Sequence, residues 1–172
     1  MTDVKEETNI YNETCISCKP IDGKEHDRTI LTTAFWRVVL RTDDQSWLGR
    51  CIFIPLNHTG HFSDLKLTQL SDLYAARGVV ETALTTLFGM SYGNWMQLGN
   101  LTRDHEGKET DDLRYYHIHY HLIPRYRKAP TFEKREFPDA QFGKALNIDD
   151  KAGHKKLVLS GEELLKLRDK IR

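Results

Sequence analysis

Three histidines at alternate positions constrain the fold of this chain more than any other feature of its sequence. His117, His119 and His121 alternate with apolar or aromatic residues. Successive side chains of a strand point to opposite faces, so the three imidazoles share one face at intervals of about 6.6 Å. The pattern predicts a strand over residues 115–123, ended by Pro124, with one face on a core and the other available for chemistry.

Two kinds of chemistry explain three imidazoles on one strand face. In the first, two of them chelate a catalytic metal ion that activates water, which requires a third ligand and usually a carboxylate base. In the second, one imidazole is a nucleophile or general base, and its neighbours donate hydrogen bonds to an anionic substrate. The pattern by itself leaves both interpretations open.

A C-x-x-C pair, Cys15 and Cys18, lies near the N-terminus. Such a pair is half of a zinc site or a redox motif. A redox pair is expected to open a helix within a βαβ unit, whereas Pro20, Asp22 and Gly23 indicate a turn here. Zinc is therefore favoured, provided that histidines complete the site.

The remaining pattern predicts an α+β domain, because short strands flank one central helix. The expected elements are strands over 35–40, 51–54 and 94–98, a helix capped by Thr68 and ended by Gly89, and a terminal helix that runs from a capping box at Ser160 towards Arg172. Apolar residues at helical spacing between Leu70 and Phe88, Tyr74 and Leu87 among them, predict the buried face of the central helix. Cys51 is expected to be a buried core thiol, and the charged run 125–128 is expected at the surface.

Composition narrows the class of protein. With 172 residues the chain is predicted to form one ordinary domain. Its 25 basic and 25 acidic residues balance to zero net charge, which argues against binding nucleic acid or an anionic membrane through bulk charge. No apolar run is long enough to span a bilayer, and the polar N-terminus does not resemble a targeting signal, so a cytoplasmic location is expected.

The triad and two other motifs resemble the histidine triad (HIT) family. The triad is followed by Pro124 and Arg125, the C-x-x-C pair resembles the opening of the zinc-binding members, and the segment from Gly49 to His58 resembles the family's strand ending in Pro-x-x-His. The resemblance implies an antiparallel sheet with one long central helix and a short C-terminal helix. It covers residues 13–126, which leaves a flexible N-terminus over 1–12 and a C-terminal extension over 127–172 that packs on the same domain.

The resemblance also implies an activity and roles for the triad. HIT proteins are nucleotide hydrolases and nucleotidyl transferases that act at the α-phosphate. His119 would be the nucleophile that forms a nucleotidyl-histidine intermediate, His121 would hydrogen-bond phosphate or leaving-group oxygens, and His117 would orient the site.

A structural zinc site and a substrate site follow from the same resemblance. The zinc ligands would be Cys15, Cys18, His58 and His117, with His61 a weaker alternative to His58. The substrate-binding residues would be Asn100, Arg114 and Asp43. The family usually carries Gly-Gln-Ser/Thr before the triad, where this chain has Asp112-Leu113-Arg114. Arg114 either replaces those phosphate-binding groups or is an exposed residue.

Three functions follow from these expectations. The first is a nucleotide hydrolase that cleaves a phosphoanhydride or phosphoramidate, with adenine dinucleoside polyphosphates as default substrates and a homodimer as the assembly. The second is a nucleotide- or partner-binding module with little turnover. The third is a zinc metallohydrolase that uses the triad as metal ligands.

Overall fold

The computed structural model describes residues 15, 17–18, 28–98, 106, 108–112, 115–148 and 155–172. The predicted flexible segment 1–12 lies outside them. No helix within these ranges is long and apolar enough to cross a membrane.

A five-stranded antiparallel sheet forms the centre of the molecule. Its strands are β1 (Thr29–Thr32), β2 (Trp36–Leu40), β3 (Cys51–Pro55), β4 (Tyr92–Met96) and β5 (Tyr120–Arg125), in the order β1-β2-β3-β5-β4. A two-stranded ribbon of β6 (Thr131–Phe132) and β7 (Arg135–Glu136) follows. The helices are the long α1 (Leu67–Phe88) and the short C-terminal α2 (Gly161–Ile171). This architecture confirms the predicted α+β class.

Helix α1 covers one face of the sheet. Its buried apolar residues recur at helical spacing: Leu73, Ala76, Val80, Leu84 and Phe88. They pack against the side chains of β2, β3 and β5 that point to the same side, and the Trp36 indole donates a hydrogen bond of 2.8 Å to the carbonyl of Gln69 on α1. The strand that carries the triad therefore packs against an apolar layer on the face opposite the histidines.

The bounds and buried face of α1 differ from the prediction at three residues. The N-cap is Lys66 rather than Thr68, because the Gln69 side chain accepts a hydrogen bond from the Lys66 N–H at 2.9 Å. Tyr74 is 82% exposed and Leu87 is also exposed, so neither belongs to the buried face. Gly89 ends the helix in the left-handed conformation, as predicted.

The strand that carries the triad begins later than predicted and contains its proline. Strand β5 starts at Tyr120 because Ile118 donates its backbone N–H to the carbonyl of Thr59, in the loop after β3, and not to β3 itself. Pairing with β3 ends at Leu122, so Pro124 pairs only with β4. Proline is tolerated there because the sheet is locally an edge.

The segment after residue 127 contributes to the same hydrophobic core. Phe137, Leu159 and Leu167 are buried within it. Backbone hydrogen bonds tie the segment to the turn before β3, since the Leu157 carbonyl accepts from the Gln45 N–H at 2.7 Å. The capping box predicted at Ser160 is present. The boundaries of the domain division stay a prediction.

Among the glycines that the structure describes, Gly49 is the position that tolerates a side chain least. Its φ is +85°, and an added Cβ would lie 2.4 Å from a methyl carbon of Leu84 on α1. Gly89 has a similar φ of +69° but open space around the Cβ position. We expect Gly89→Ala to lower the free energy of unfolding by about 1–2 kcal/mol, and Gly49→Ala by about 1–3 kcal/mol more, because overpacking adds to the backbone strain. Urea denaturation of both variants measures the difference, and equal losses would contradict the contact with Leu84.

Candidate functional site

The three histidines lie in one extended segment on the open face of the sheet. His117 and His119 precede β5, and His121 is its second residue. The residues between them, Ile118 and Tyr120, are buried in the core beneath α1. The predicted alternation is therefore confirmed, although regular strand pairing begins only at Tyr120.

His117 joins the triad to the cysteine pair. Its Nδ1 lies 3.1 Å from the Cys18 Sγ and 3.5 Å from the Cys15 Sγ, and the Cys18 Sγ lies 3.3 Å from the His58 Nδ1. One potential ligand atom of each of these four residues lies within 4.8 Å of the other three. The ligand atoms of a tetrahedral zinc ion are about 3.3–3.8 Å apart, so this donor set fits a closed Cys₂His₂ site.

Contacts around the cluster favour the forms of His117 and Cys15 that can bind a metal ion. The His117 Nε2–H donates a hydrogen bond of 3.1 Å to the Pro55 carbonyl. The proton of the neutral ring is therefore on Nε2, and the Nδ1 that faces the sulfur atoms is unprotonated. The hydrogen bond from Cys18 lowers the pKa of Cys15 far below that of an ordinary thiol. A thiolate at neutral pH is the form that binds zinc.

The backbone of His117 orients the central histidine. The His119 Nδ1 lies 3.1 Å from the His117 carbonyl oxygen, so Nδ1 carries the proton and donates it to this acceptor. The Nε2 of His119 therefore keeps its lone pair. Burial lowers the pKa of His119, which favours the neutral ring.

His121 is buried beside the ring of His119. It is 5% exposed, and its ring centroid lies 5.1 Å from that of His119. Burial, followed by electrostatic interaction with His119 and Arg41, lowers the pKa of His121 to about 3. Its Nδ1 is buried and has no hydrogen-bond partner among the described residues. A neutral His121 can donate one hydrogen bond to a bound oxygen atom.

A cavity of about 290 Å³ lies beside the triad on the same face of the sheet. Cross-strand neighbours share a face, and the register places Val39 opposite Ile52 and Ile52 opposite His121. Val39 and Ile52 line the cavity, together with Arg37, Arg41 and Asp43. The row from Val39 to His121 therefore links the cavity floor to the triad.

The structure brings some of the predicted site residues together and leaves others undescribed. Asp43 lines the cavity, with its carboxylate 2.5 Å from the Arg41 guanidinium. The predicted substrate-binding residues Asn100 and Arg114 lie outside the described residues. His61 is exposed and is not part of the four-residue cluster, so the choice of His58 is supported by geometry.

Sequence reasoning missed the arginines of the cavity and misplaced Arg125. The sequence contained a signal for these arginines, because Arg37 and Val39 on β2 and Arg41 directly after it follow at intervals of two and so share the triad face. Arg125 was expected at the surface but is buried, because its guanidinium Nε lies 2.6 Å from the Asp139 carboxylate. It is paired and directed away from solvent.

Comparison with known proteins confirms the histidine triad fold. Neither a family model nor a curated protein matches the sequence. The structure is similar to a zinc-bound histidine triad family protein from Mycobacterium smegmatis, with 17% identity, a TM-score of 0.57 and coverage of 93% of this chain and 94% of that chain. A histidine triad protein from Marinobacter aquaeolei VT8 shows 18% identity, a TM-score of 0.54 and coverage of 87% and 90%. Diadenosine triphosphate hydrolase from Plasmodium falciparum shows 16% identity, a TM-score of 0.53 and coverage of 84% and 74%.

The lowered pKa of His121 predicts a loss of stability in acid. Its pKa is about 3 when folded and 6.5 in its ordinary state, so below about pH 6.5 the unfolded chain takes up the proton first. The stability is present above that pH and is lost as the pH falls towards 3. We expect His121→Gln to lose less unfolding free energy between about pH 7.5 and 5 than the parent chain, measured by denaturation with zinc in excess.

The exposed His61→Gln variant serves as the control for removal of one imidazole. It should follow the parent chain. Equal pH dependence in all three proteins would contradict the burial of a neutral His121.

Proposed function

We propose that this chain, which has the histidine triad fold, is a nucleotide hydrolase or nucleotidyl transferase that acts through a covalent intermediate on His119. One observation carries the proposal: the His119 Nδ1 faces the carbonyl of His117, so its unprotonated Nε2 is left for a substrate. A neutral, oriented imidazole is a competent nucleophile towards phosphorus.

In the first step, the lone pair of the His119 Nε2 attacks the α-phosphorus and a P–N bond forms. The bond from phosphorus to the leaving group breaks, and the leaving group departs with the electron pair. The His117 carbonyl stabilises the positive charge that develops on the imidazole, because it accepts the hydrogen bond from Nδ1. Water then attacks phosphorus, His119 is released, and the nucleoside monophosphate leaves.

His121 is proposed to stabilise the oxygen atoms around phosphorus. Its neutral ring lies beside that of His119, and removal of one such donor costs about 10²–10³ in rate. Asn100, Arg114 and Asp43 stay predictions as substrate-binding residues. A phosphoanhydride or phosphoramidate of an adenine nucleotide is the proposed substrate.

We further propose that the ion held by the four-residue cluster is structural zinc. Four protein donors close a tetrahedral site and leave no position for water or substrate. Within the described part of the chain the donor cluster includes His117 but neither His119 nor His121. This arrangement weighs against a metallohydrolase that uses the whole triad as ligands.

A homodimer stays a prediction. Strand β4 is an edge of the five-stranded sheet, and Tyr92 on it and Tyr74 on α1 are exposed aromatic residues. Edge strands and exposed aromatic side chains are common features of interfaces between subunits.

Loss of His119 tests the proposed chemistry. We expect His119→Asn to bind zinc and nucleotide but to form no covalent adduct, with turnover lowered at least about 10³-fold, because an amide is not a nucleophile. The measurement is intact-protein mass spectrometry after single-turnover mixing with a nucleoside 5′-phosphoramidate, quenched without acid. His61→Asn is the matched control and should show the adduct.

An adduct on His119→Asn would contradict the assignment of the nucleophile. Tight nucleotide binding without an adduct on the parent chain would favour the binding module over the enzyme.

Removal of one cysteine tests the zinc site. We expect Cys15→Ser to lose its zinc on dialysis and to lose several kcal/mol of unfolding free energy, since metal binding is coupled to folding. Cys51→Ala removes a buried thiol that is not part of the cluster, and it should retain one zinc ion per chain. Elemental analysis measures the metal, and a stable parent protein without zinc would contradict the site.

A further inference from the structure

The cavity beside the triad combines an apolar floor with a basic rim. Its apolar floor is formed by Val39, Ile52 and Ile54, and its charged lining residues are Arg28, Arg37, Arg41 and Asp43. Three of these residues are arginines and one is acidic. The apolar floor lies on β2 and β3, Arg37 lies on β2, Arg41 directly follows β2, and Arg28 directly precedes β1.

Each of the three arginines contacts another residue of the cavity lining. Arg28 donates to the Thr42 hydroxyl at 3.2 Å, and Arg37 donates to the backbone carbonyl of Ser17. Arg41 contacts the Asp43 carboxylate with one terminal nitrogen, while its Nε is buried and has no hydrogen-bond partner among the described residues. The Arg41 side chain is 31% exposed, so its guanidinium can pair with an oxyanion that enters the cavity.

The register sets the distance between the arginines and the reacting atoms. Arg37 and Arg41 lie on β2 or at its end, and the triad lies on β5 or just before it. One strand, β3, separates them, and adjacent strands are about 4.8 Å apart. The backbone of Arg37 and Arg41 is therefore about 10 Å from the triad, and Arg28, directly before β1, lies one strand farther away and contacts Thr42 beside Arg41. These positions are beyond the phosphorus that His119 attacks.

We propose that this cavity binds a second phosphoryl group of the substrate, one that does not react, through Arg41 and Arg28. The inference rests on the proposed function, because it identifies the class of nucleotide that the site accepts. A guanidinium pairs with phosphate in a bidentate geometry, and two of them select for a doubly charged group over a neutral sugar hydroxyl. The apolar floor of Val39, Ile52 and Ile54 receives the uncharged part of the same molecule.

Asp43 has a different role in this arrangement from the one that the family resemblance implies. Its carboxylate competes with the ligand for Arg41, since the two side chains already contact each other at 2.5 Å. A second phosphoryl group would displace that carboxylate towards solvent. Asp43 then lowers the affinity for the ligand rather than raising it.

Binding experiments test the proposal without relying on turnover. The zinc-loaded chain is titrated by calorimetry with adenosine 5′-monophosphate, adenosine 3′,5′-bisphosphate, adenosine 2′,5′-bisphosphate and adenosine 5′-diphosphate. We expect at least one ligand with a second phosphoryl group to bind about tenfold or more tightly than the monophosphate. If one of the two bisphosphates binds most tightly, the cavity accepts a phosphoryl group on the ribose. If the diphosphate binds most tightly, the cavity accepts a phosphoryl group of the phosphate chain.

Two charge-removing variants and a control locate the effect. Arg41→Gln and Arg28→Gln should each lower this affinity ratio at least about fivefold, because each removes one guanidinium. Arg135→Gln is the matched control, since Arg135 is an exposed arginine paired with Glu163 away from the cavity. Its affinity ratio should equal that of the parent chain, and thermal unfolding verifies that all variants are folded.

Asp43→Asn is expected to change the affinity ratio in the opposite direction from the two arginine variants. It should raise the ratio of the affinity for the ligand with two phosphoryl groups to the affinity for the monophosphate, because the carboxylate no longer competes for Arg41. Equal affinities for all ligands, an unchanged ratio in Arg41→Gln, or a uniform loss of affinity in Asp43→Asn would overturn the proposal. Failure of the proposed function has a different signature, namely no covalent adduct on a chain that still discriminates between the ligands.

Discussion

The two ring nitrogens and the backbone carbonyl of His117 hold the site together. The Nε2 is bound to the Pro55 carbonyl at the end of β3, and the Nδ1 lies against the two cysteine sulfurs. The carbonyl oxygen of the same residue holds the Nδ1 of His119. One residue thus joins the end of a strand, the cysteine pair and the proposed nucleophile, so a change in the metal cluster also changes the orientation of the ring that is proposed to react.

Two buried ion pairs hold the elements around this centre. Arg50 contacts Asp44 at 2.6 Å beside the sheet, and Arg125 contacts Asp139 at 2.6 Å where the chain leaves β5. Loss of one partner of such a pair is costly because an uncompensated charge remains buried. Asp139 belongs to the segment after residue 127, so this segment supports the strand that carries His121 and is not merely attached to the surface.

The sequence was sufficient to predict the features that depend on local patterns. The triad alternation, the capping box at Ser160 and the stop at Gly89 each follow from short spacings with a physical cause, whereas the place of His58 beside the cysteines was implied by the family resemblance. The start of β5 did not follow, because it depends on a hydrogen bond from Ile118 to Thr59, far away in sequence. The burial of Arg125 depends in the same way on Asp139, and a charged run gives no indication that one member has a buried partner.

Many of the contacts that position the site end on backbone carbonyl oxygens. The His117 ring donates a hydrogen bond to the carbonyl of Pro55, and the His119 ring donates one to the carbonyl of His117. The Arg37 guanidinium donates to the carbonyl of Ser17, and the Ile118 N–H donates to the carbonyl of Thr59. Every amino acid supplies a carbonyl, so a substitution at an accepting position such as Ser17 or Thr59 leaves the acceptor in place. Evolution can therefore replace much of the sequence around the histidines while the geometry persists. This accounts for a fold that is recognisable in three dimensions at 17% identity, where the sequence itself matches no family model.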